Sequence, residues 1–436
     1  MLSGHRTRKS LLVAVLAVVI LVISPKITSG DERGLTLEQA IRQSLATPRV
    51  LAAREAVTQA RADVDTASLL PNPSLAVEAG MLPLSRTYTV DEPGGPPELS
   101  GGISFPLDWL LFGKRSAAVS SAESAVSVAE AEYADIVRQR IAETTEAFYD
   151  VLEAGALLEA ARQAVADLEQ AEAAIGKAVA NGGRPQMELS RVRLEFQSAK
   201  REERSTRAAL ISAKAKLRAL VGLATATTAP LRIEGTLEGT LAAAPLSVEA
   251  AFTTASESRP DIVALRKKVA KARGDEVVEG RNAWPETSLG FGVAHQFQES
   301  VGAPDATAWG LSLEIALPFF DRNQGGRAKA AAATVQANHE LTAALADLRA
   351  DVEQAVQVLG TAYENAIEMT QTDLDLASQV RDSFRKSYEA GGRPLLEMLD
   401  AQRSYRETYR AYVSTRAEYW RALARYEAAI GRKVSP

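Results

Sequence analysis

The side chains of this sequence that could do chemistry are few, and their spacing points to electrostatics rather than bond-making. Three histidines, His5, His295 and His339, have no companion at metal-ligand spacing. Cysteine is absent, which excludes disulfides, thiolate metal sites, cysteine nucleophiles and acylation of an N-terminal cysteine. No nucleophile elbow, phosphate loop, paired-carboxylate frame or cofactor-binding pattern occurs, and the methionines are scattered without a Met/His cluster. An enzyme is therefore not expected, and neither is a dedicated metal site. The charged groups that do recur flank two Gly-Gly pairs. Gly182-Gly183-Arg184-Pro185 returns 209 residues later as Gly391-Gly392-Arg393-Pro394. Just past the second pair, Glu397 and Asp400 are three apart and share a helix face. Acids near a helix start are favoured by the helix dipole and are commonly just solvated; repeated around a symmetry axis they would instead line a pore.

Each Gly-Gly-Arg-Pro run interrupts a long helical pattern that resumes at once. Glycine takes the left-handed conformation past a helix end without a Cβ clash, and proline fits the start of the next helix. Both runs thus read as tips of helical hairpins, either as plain turns or as docking points for a partner. Residues 114–180 contain no proline and predict one helix of 67 residues, about 100 Å long at 1.5 Å per residue. Residues 328–390 predict its counterpart. The returning arms end at Leu220-Val-Gly-Leu223 and Ala429-Ile-Gly-Arg432. Upstream, Thr36 and Ser247 are matching N-caps, and Pro48 and Pro260 mark matching breaks.

Before each long helix comes strand-like alternation. In 308–317, Trp309, Leu311, Leu313, Ile315 and Leu317 alternate with small or polar residues including Glu314. In 289–297, Leu289, Phe291, Val293, His295 and Phe297 do the same. The first half repeats this with Leu75, Val77, Ala79 and Met81 around Glu78, then with Ile103, Phe105 and Leu107. One greasy face and one small face suit a transmembrane β-barrel, with Glu78 and Glu314 facing its lumen; a leaf of a soluble sandwich has the same period. Turn-rich loops, residues 83–98 and 299–307, join the paired strands. Four strands cannot close a barrel, so three chains would have to share one. Trp109, Trp284 and Trp309 are placed beside strand ends, either as interfacial aromatics or as core anchors. Helix, two strands, long helix, tip and long helix thus occur twice in the same order, an internal duplication.

Arg6, Arg8 and Lys9 precede a 13-residue apolar run, Leu11 to Ile23, and then small residues at 28–30. That is the pattern of a secretory signal over 1–30, too short for an ordinary membrane span, though a short anchor would look similar. The remaining domains are repeat 1 over 31–223, a linker over 224–245 and repeat 2 over 246–436. Charged residues make up 24% and hydrophobic residues 46% of the chain, ordinary values for a globular or a partly membrane-embedded protein. The net charge is −5, and loss of the four bases in 1–30 leaves about −9. No nucleic-acid partner is expected.

On the duplicated layout and the two tips, the chain resembles the TolC-like outer-membrane factor family over essentially all of the sequence after residue 30. Leu317-Pro-Phe-Phe-Asp-Arg-Asn-Gln-Gly325, and more weakly Phe112-Gly-Lys-Arg115, are similar to the branch serving heavy-metal efflux of the cobalt–zinc–cadmium type. The resemblance implies a mixed α/β membrane protein. It would be a homotrimer, with a twelve-stranded barrel in the outer-membrane lipid and a long α-helical barrel in the periplasm. It also implies a periplasmic adaptor (membrane fusion protein) and an inner-membrane proton-driven pump as partners. The family's closed tunnel end is held by polar links between tip helices and by a ring of acids. Tyr388, Arg393, Glu397 and Asp400 fall on the second-tip positions of that pattern and Glu188 on the matching acid of the first. Arg184 has no counterpart there. The expected gate bond runs from Arg393 to Glu188 with the Tyr388 hydroxyl in the same network. The alternatives are an exit duct for drugs or type I protein secretion, or a periplasmic coiled-coil scaffold without a pore.

Overall fold

The structure is a computed structural model that describes residues 34–432 except 86, 93, 224–230 and 242–245, and the side chain of residue 300. The expected signal over 1–30 and part of the expected linker therefore lie outside the described residues. The helices are α1 (Leu37–Leu45), α2 (Pro48–Ser68), α3 (Asp108–Leu111), α4 (Lys114–Ala180), α5 (Gln186–Leu220), α6 (Val248–Ser258), α7 (Pro260–Asn282), α8 (Gln324–Glu368), α9 (Gln371–Glu389) and α10 (Leu395–Ile430). The strands are β1 (Ser74–Gly80), β2 (Glu98–Pro106), β3 (Thr287–Gln296) and β4 (Ala306–Ile315).

Local chemistry explains most boundaries. Thr36 caps α1 in a reciprocal capping box with Gln39, and the Ser247 hydroxyl accepts from Ala250 N at the start of α6. Pro48 and Pro260 open α2 and α7, where a missing N–H costs nothing. Gly113 and Asn323, both left-handed, immediately precede α4 and α8. Helix α4 runs unbroken for 67 residues as the sequence predicts. Its counterpart does not. The helix expected over 328–390 stops at Met369, and Thr370 starts α9 with its own capping box to Asp373. The Thr370 hydroxyl and amide bond the Asp373 carboxylate at 2.7 and 2.9 Å, holding that carboxyl below the usual range. In the first half, 209 residues earlier, Ala161 and Ala164 stand in these places. Two good helix formers continue a helix that a Thr-x-x-Asp pair restarts.

The helices pack side by side in four columns. Helix α4 is flanked on one side by α2 and α5, and on the other by α7 and α10. Helices α7 and α10 in turn pack against α8, and α10 against α9. The largest core joins Ile262 of α7, Leu348, Val352, Val356 and Leu359 of α8, and Tyr419, Tyr426 and Ile430 of α10. The 3–4 residue spacing on α8 is that of one helix face. Arg421 and Arg425 of α10 clamp this level to α4. Arg421 reaches Asp150 at 3.2 Å and Glu153 at 2.5 Å, and Arg425 reaches Glu146 at 3.0 Å. The described part of the linker is docked here. Leu35 N donates to Arg232 O and Glu234 N to Leu35 O, while Trp420 Nε1 donates to Leu237 O at 3.0 Å. A Cβ on Gly239 would sit 2.8 Å from the Trp420 ring, so only glycine lets the strap lie so close.

The strands form one antiparallel sheet in the order β1-β2-β3-β4, with the two repeats joined through β2 and β3. β1 ends at Gly80, because Met81 is left-handed, β2 at Pro106, β3 at Gln296 and β4 at Ile315, so Met81, Leu107, Phe297 and Leu317, expected within strands, lie just outside the observed ones. The register aligns Leu75, Ile103, Phe291 and Leu311 across all four strands, and Val293 with Trp309. Trp309 is thus within β4 rather than beside its end; the strand starts at Ala306, two residues before the clean alternation. Trp284 does lie beside β3, stacked on Phe112 at 5.2 Å, and Trp109 Nε1 donates to Pro106 O at the end of β2. β1 and β4 leave their outer edges unpaired within the chain, and the apolar face is exposed, with Leu75, Val77, Trp309, Leu311 and Leu313 all more than 60% accessible. Among the described residues no helix is long and apolar enough to cross a membrane.

Candidate functional site: hairpin tips and sheet lumen face

The two tips share one construction. Gly182 (φ 72°) and Gly391 (φ 76°) are left-handed, and the next glycine donates back into the preceding helix, Gly183 N to Ala178 O at 2.8 Å and Gly392 N to Ser387 O at 2.9 Å. Pro185 and Pro394 then stand in extended conformation at the N-cap positions of α5 and α10. A side chain at either left-handed glycine costs about 1–2 kcal/mol. Gly182→Ala and Gly391→Ala are each expected to destabilise their hairpin by that amount. Faster amide exchange confined to residues near each tip will show it, and exchange unchanged there would mean the turn tolerates the Cβ.

The tips meet. Leu168 and Ile175 of α4, Leu189, Val192 and Phe196 of α5, Tyr388 of α9, and Leu395, Met398 and Leu399 of α10 form one buried cluster. Above it the polar groups gather. The Tyr388 hydroxyl donates to Glu188 Oε2 at 3.1 Å, as the sequence reading expects. Arg184 lies over the Tyr388 ring at 4.6 Å and 3.7 Å from Glu188, and donates to the Tyr388 carbonyl at 3.4 Å. Burial pushes the Tyr388 hydroxyl pKa up, and the adjacent Glu188 charge adds to this, against an opposing pull from Arg184. The hydroxyl therefore stays a donor.

One expected bond is not made within the chain. Arg393 does not reach Glu188; it pairs with Glu397 at 2.6 Å and lies over the Phe384 ring at 5.2 Å. Both arginines do the same local thing: Arg184–Glu188 and Arg393–Glu397 are i,i+4 pairs at the start of a helix, where the partner is one turn away. The signal was in the sequence as Arg-Pro-x-x-Glu in both tips. Arg184, which the family pattern leaves without a role, is the residue that clamps Glu188. Asp400 is exposed and 3.7 Å from Arg403, which itself bonds Glu195 at 2.9 Å, so Asp400 is less closely paired than Glu397.

On the sheet, Glu78 and Glu314 both lie on the small and polar face, opposite Ser100 and Ser288. They are not at one level: Glu78 is near the loop end of β1 and Glu314 near the helical end of β4. Glu98, missed in the sequence because it opens β2 beside a loop, shares the Glu78 end and accepts from Gln296 at 2.9 Å. No group of three metal-ligating side chains occurs among the described residues.

The comparisons with known proteins agree with this geometry. The sequence profile of the outer membrane efflux protein family matches residues 39–223 and 251–432. The cobalt-zinc-cadmium resistance protein CzcC of Cupriavidus metallidurans is 25% identical over 400 residues, covering 91% of this chain and 90% of CzcC. The solved CusC structure superposes with a TM-score of 0.71 at 19% identity, covering 91% of this chain and 92% of CusC. The outer membrane protein VceC of Vibrio cholerae gives 0.68 at 20% identity, over 91% and 96%. The fold is the family's, in which each chain adds four strands to a trimeric barrel continued by a helical barrel. The chain is an outer-membrane channel, not an enzyme, and it belongs to the outer membrane efflux protein family.

Proposed function

We propose that this channel is the exit duct of a three-part efflux assembly that expels heavy-metal cations. An inner-membrane proton-driven pump would supply the energy and a periplasmic adaptor would connect pump to duct. Residues 1–30 direct export, and repeats 31–223 and 246–436, joined by 224–245, supply the two hairpins. The observation that carries the choice of cargo is the similarity to CzcC along nine-tenths of both chains. The acidic groups on the conduit surfaces, Glu78, Glu98 and Glu314 on the sheet and Asp400 at the tip, agree with cationic cargo, since fixed negative charge concentrates cations in a narrow path. Docking of the adaptor falls to Gly182, Gly183, Arg184 and Pro185 and to Gly391, Gly392, Arg393 and Pro394. Their closely similar backbone geometry offers an adaptor two related turns per chain.

Deleting the gene is expected to sensitise cells to cobalt, zinc or cadmium salts and to raise their metal content, with both effects reversed by the intact gene. Unchanged metal tolerance together with new sensitivity to organic toxicants would transfer the chain to drug efflux. Loss of a secreted protein alone would make it a secretion duct.

A further inference from the structure

Two clefts beside α10 differ in how their charges are compensated. In the one farther from the tips, each guanidinium has a carboxylate of its own. Arg138 pairs with Asp135 at 2.6 Å, Arg259 with Asp351 at 3.0 Å and Arg425 with Glu146 at 3.0 Å. That cleft is a closed network of ion pairs. The cleft nearer the tips has a volume of about 260 Å³ and is formed by α4, α9 and α10, with Leu168 of the tip cluster in its lining. It therefore lies between the first hairpin and the second, and its charges are not closed.

The room comes from α4. Ala160 and Ala164, one turn apart, line the cleft against Tyr405 and Tyr409 of α10, also one turn apart. The two rings are tilted with centroids 6.4 Å from each other. Arg381 of α9 closes one side, over the Tyr405 ring at 4.1 Å, and its charge is used by Asp382 at 3.0 Å. Arg406 is different. Its side chain is 25% exposed, and its one ion pair among the described residues is with Glu195 at 3.9 Å, which already holds Arg403 at 2.9 Å. Burial pulls the Arg406 pKa below the usual arginine range, so this cation is under-compensated. On the α4 wall, Asp167 is half-buried, accepts from Gln163 Nε2 at 2.8 Å, and has no basic partner among the described residues. Glu159 of the same wall has Arg162 at 3.8 Å. A cation and an anion thus line facing walls of one cleft, and neither meets the other or a close partner of its own. Half-buried charge left in that state is costly, and a ligand carrying both complements relieves both walls.

We propose that this cleft is a binding site for a small aromatic zwitterion, a molecule of the size and charge of an aromatic amino acid. Its carboxylate takes the Arg406 guanidinium, its ammonium takes Asp167, and its ring lies against Tyr405 and Tyr409. The balance of the lining argues for both charged ends. Arg381 and Arg406 stand against Glu159 and Asp167, so a simple anion would meet two carboxylates and a simple cation two guanidiniums. Burial also raises the Tyr409 pKa, which keeps its hydroxyl a donor. A molecule seated here touches α4 of the first hairpin and α10 of the second at once.

Calorimetric titration of the full channel in detergent, near neutral pH, provides the test. L-Phenylalanine or L-tryptophan should saturate at one molecule per chain. Phenethylamine, which lacks the carboxylate, and phenylpropionate, which lacks the ammonium, should each bind roughly tenfold more weakly or worse, since a hydrogen bond to a charged group is worth at least that factor. The variants should divide in the same way. Arg406→Gln should weaken the amino acid roughly tenfold and leave phenethylamine unchanged, and Asp167→Asn should weaken the amino acid and leave phenylpropionate unchanged. Ala164→Leu, which fills the cleft without altering a charge, should abolish binding while native mass spectrometry still shows the trimer. Either analogue binding as tightly as the amino acids would mean that one wall is unused and would overturn the zwitterion. No saturable binding of either amino acid, or binding that survives Ala164→Leu, would overturn the site.

Discussion

Leu313→Arg will prevent the channel from assembling in the outer membrane, whereas Ser312→Arg, one position away, will assemble and conduct less. The two side chains leave β4 on opposite faces, because successive residues of a strand alternate. Leu313 is opposite Leu289 and flanked by Leu311 and Ile315, on the face that is apolar across all four strands. In one chain it is 62% exposed with nothing of its own fold to cover it. In the barrel that face meets lipid tails, and a basic residue near midplane costs about 2–4 kcal/mol per chain. Three chains share one barrel, so the cost recurs at three places. Ser312 is opposite Gly290, on the face built from Gly290, Gly292, Gly310 and Ser100 with the two ends marked by Glu78, Glu98 and Glu314. A guanidinium there has water and acids to meet, and its only effect is to occupy lumen. Membrane fractionation and single-channel conductance separate the two outcomes. Equal tolerance of both substitutions would mean that the faces have been assigned the wrong way round or that the sheet does not line a pore.

Arg184→Ser combined with Tyr388→Phe will raise the resting conductance of the reconstituted channel several-fold. These two side chains hold Glu188 from two directions, the hydroxyl at 3.1 Å and the guanidinium at 3.7 Å, and Arg184 also ties the end of α9 through the Tyr388 carbonyl. Each contact is partly exposed and worth only about 0.2–1 kcal/mol. Three per chain, nine around a threefold axis, would bias a closed tip by a few kcal/mol, small enough for an adaptor to reverse. The apolar cluster beneath, with Leu189, Val192 and Leu399, is untouched by either substitution, so folding should be normal. Selectivity should separate from conductance. Asp400→Ala will weaken cation preference and block by divalent metals more than Glu397→Ala, because Glu397 is already paired with Arg393 at 2.6 Å. Conductance unchanged in the double variant would place the constriction elsewhere and leave the tips to docking alone. Equal effects of the two alanine variants would show that the Arg393–Glu397 pair does not persist in the trimer.

The sequence by itself determined the elements that depend on neighbours along the chain. Glycine at a left-handed position, proline at a helix start, Thr36 and Ser247 as caps and the alternation of Leu311, Leu313 and Ile315 are all local, and each was legible residue by residue. Duplication was legible for the same reason, since two copies of a local code stay readable even when each is weak. The break at Thr370 was local too and still passed unread. A capping box inside a long helical pattern looks like two ordinary polar residues until the Ala161 and Ala164 of the other repeat are set beside it. What only the tertiary structure decided is which charges meet. The Arg393–Glu188 bond expected from sequence gives way within the chain to two i,i+4 pairs, because an arginine one turn from a glutamate loses less freedom in reaching it than one that must cross between helices. The docking of Leu237 and Gly239 under Trp420 and the split of Glu78 and Glu314 to opposite ends of the sheet have the same origin. They depend on register and on the order of helix columns, which are set by burial of faces contributed from residues hundreds of positions apart and leave no mark in any single stretch of sequence.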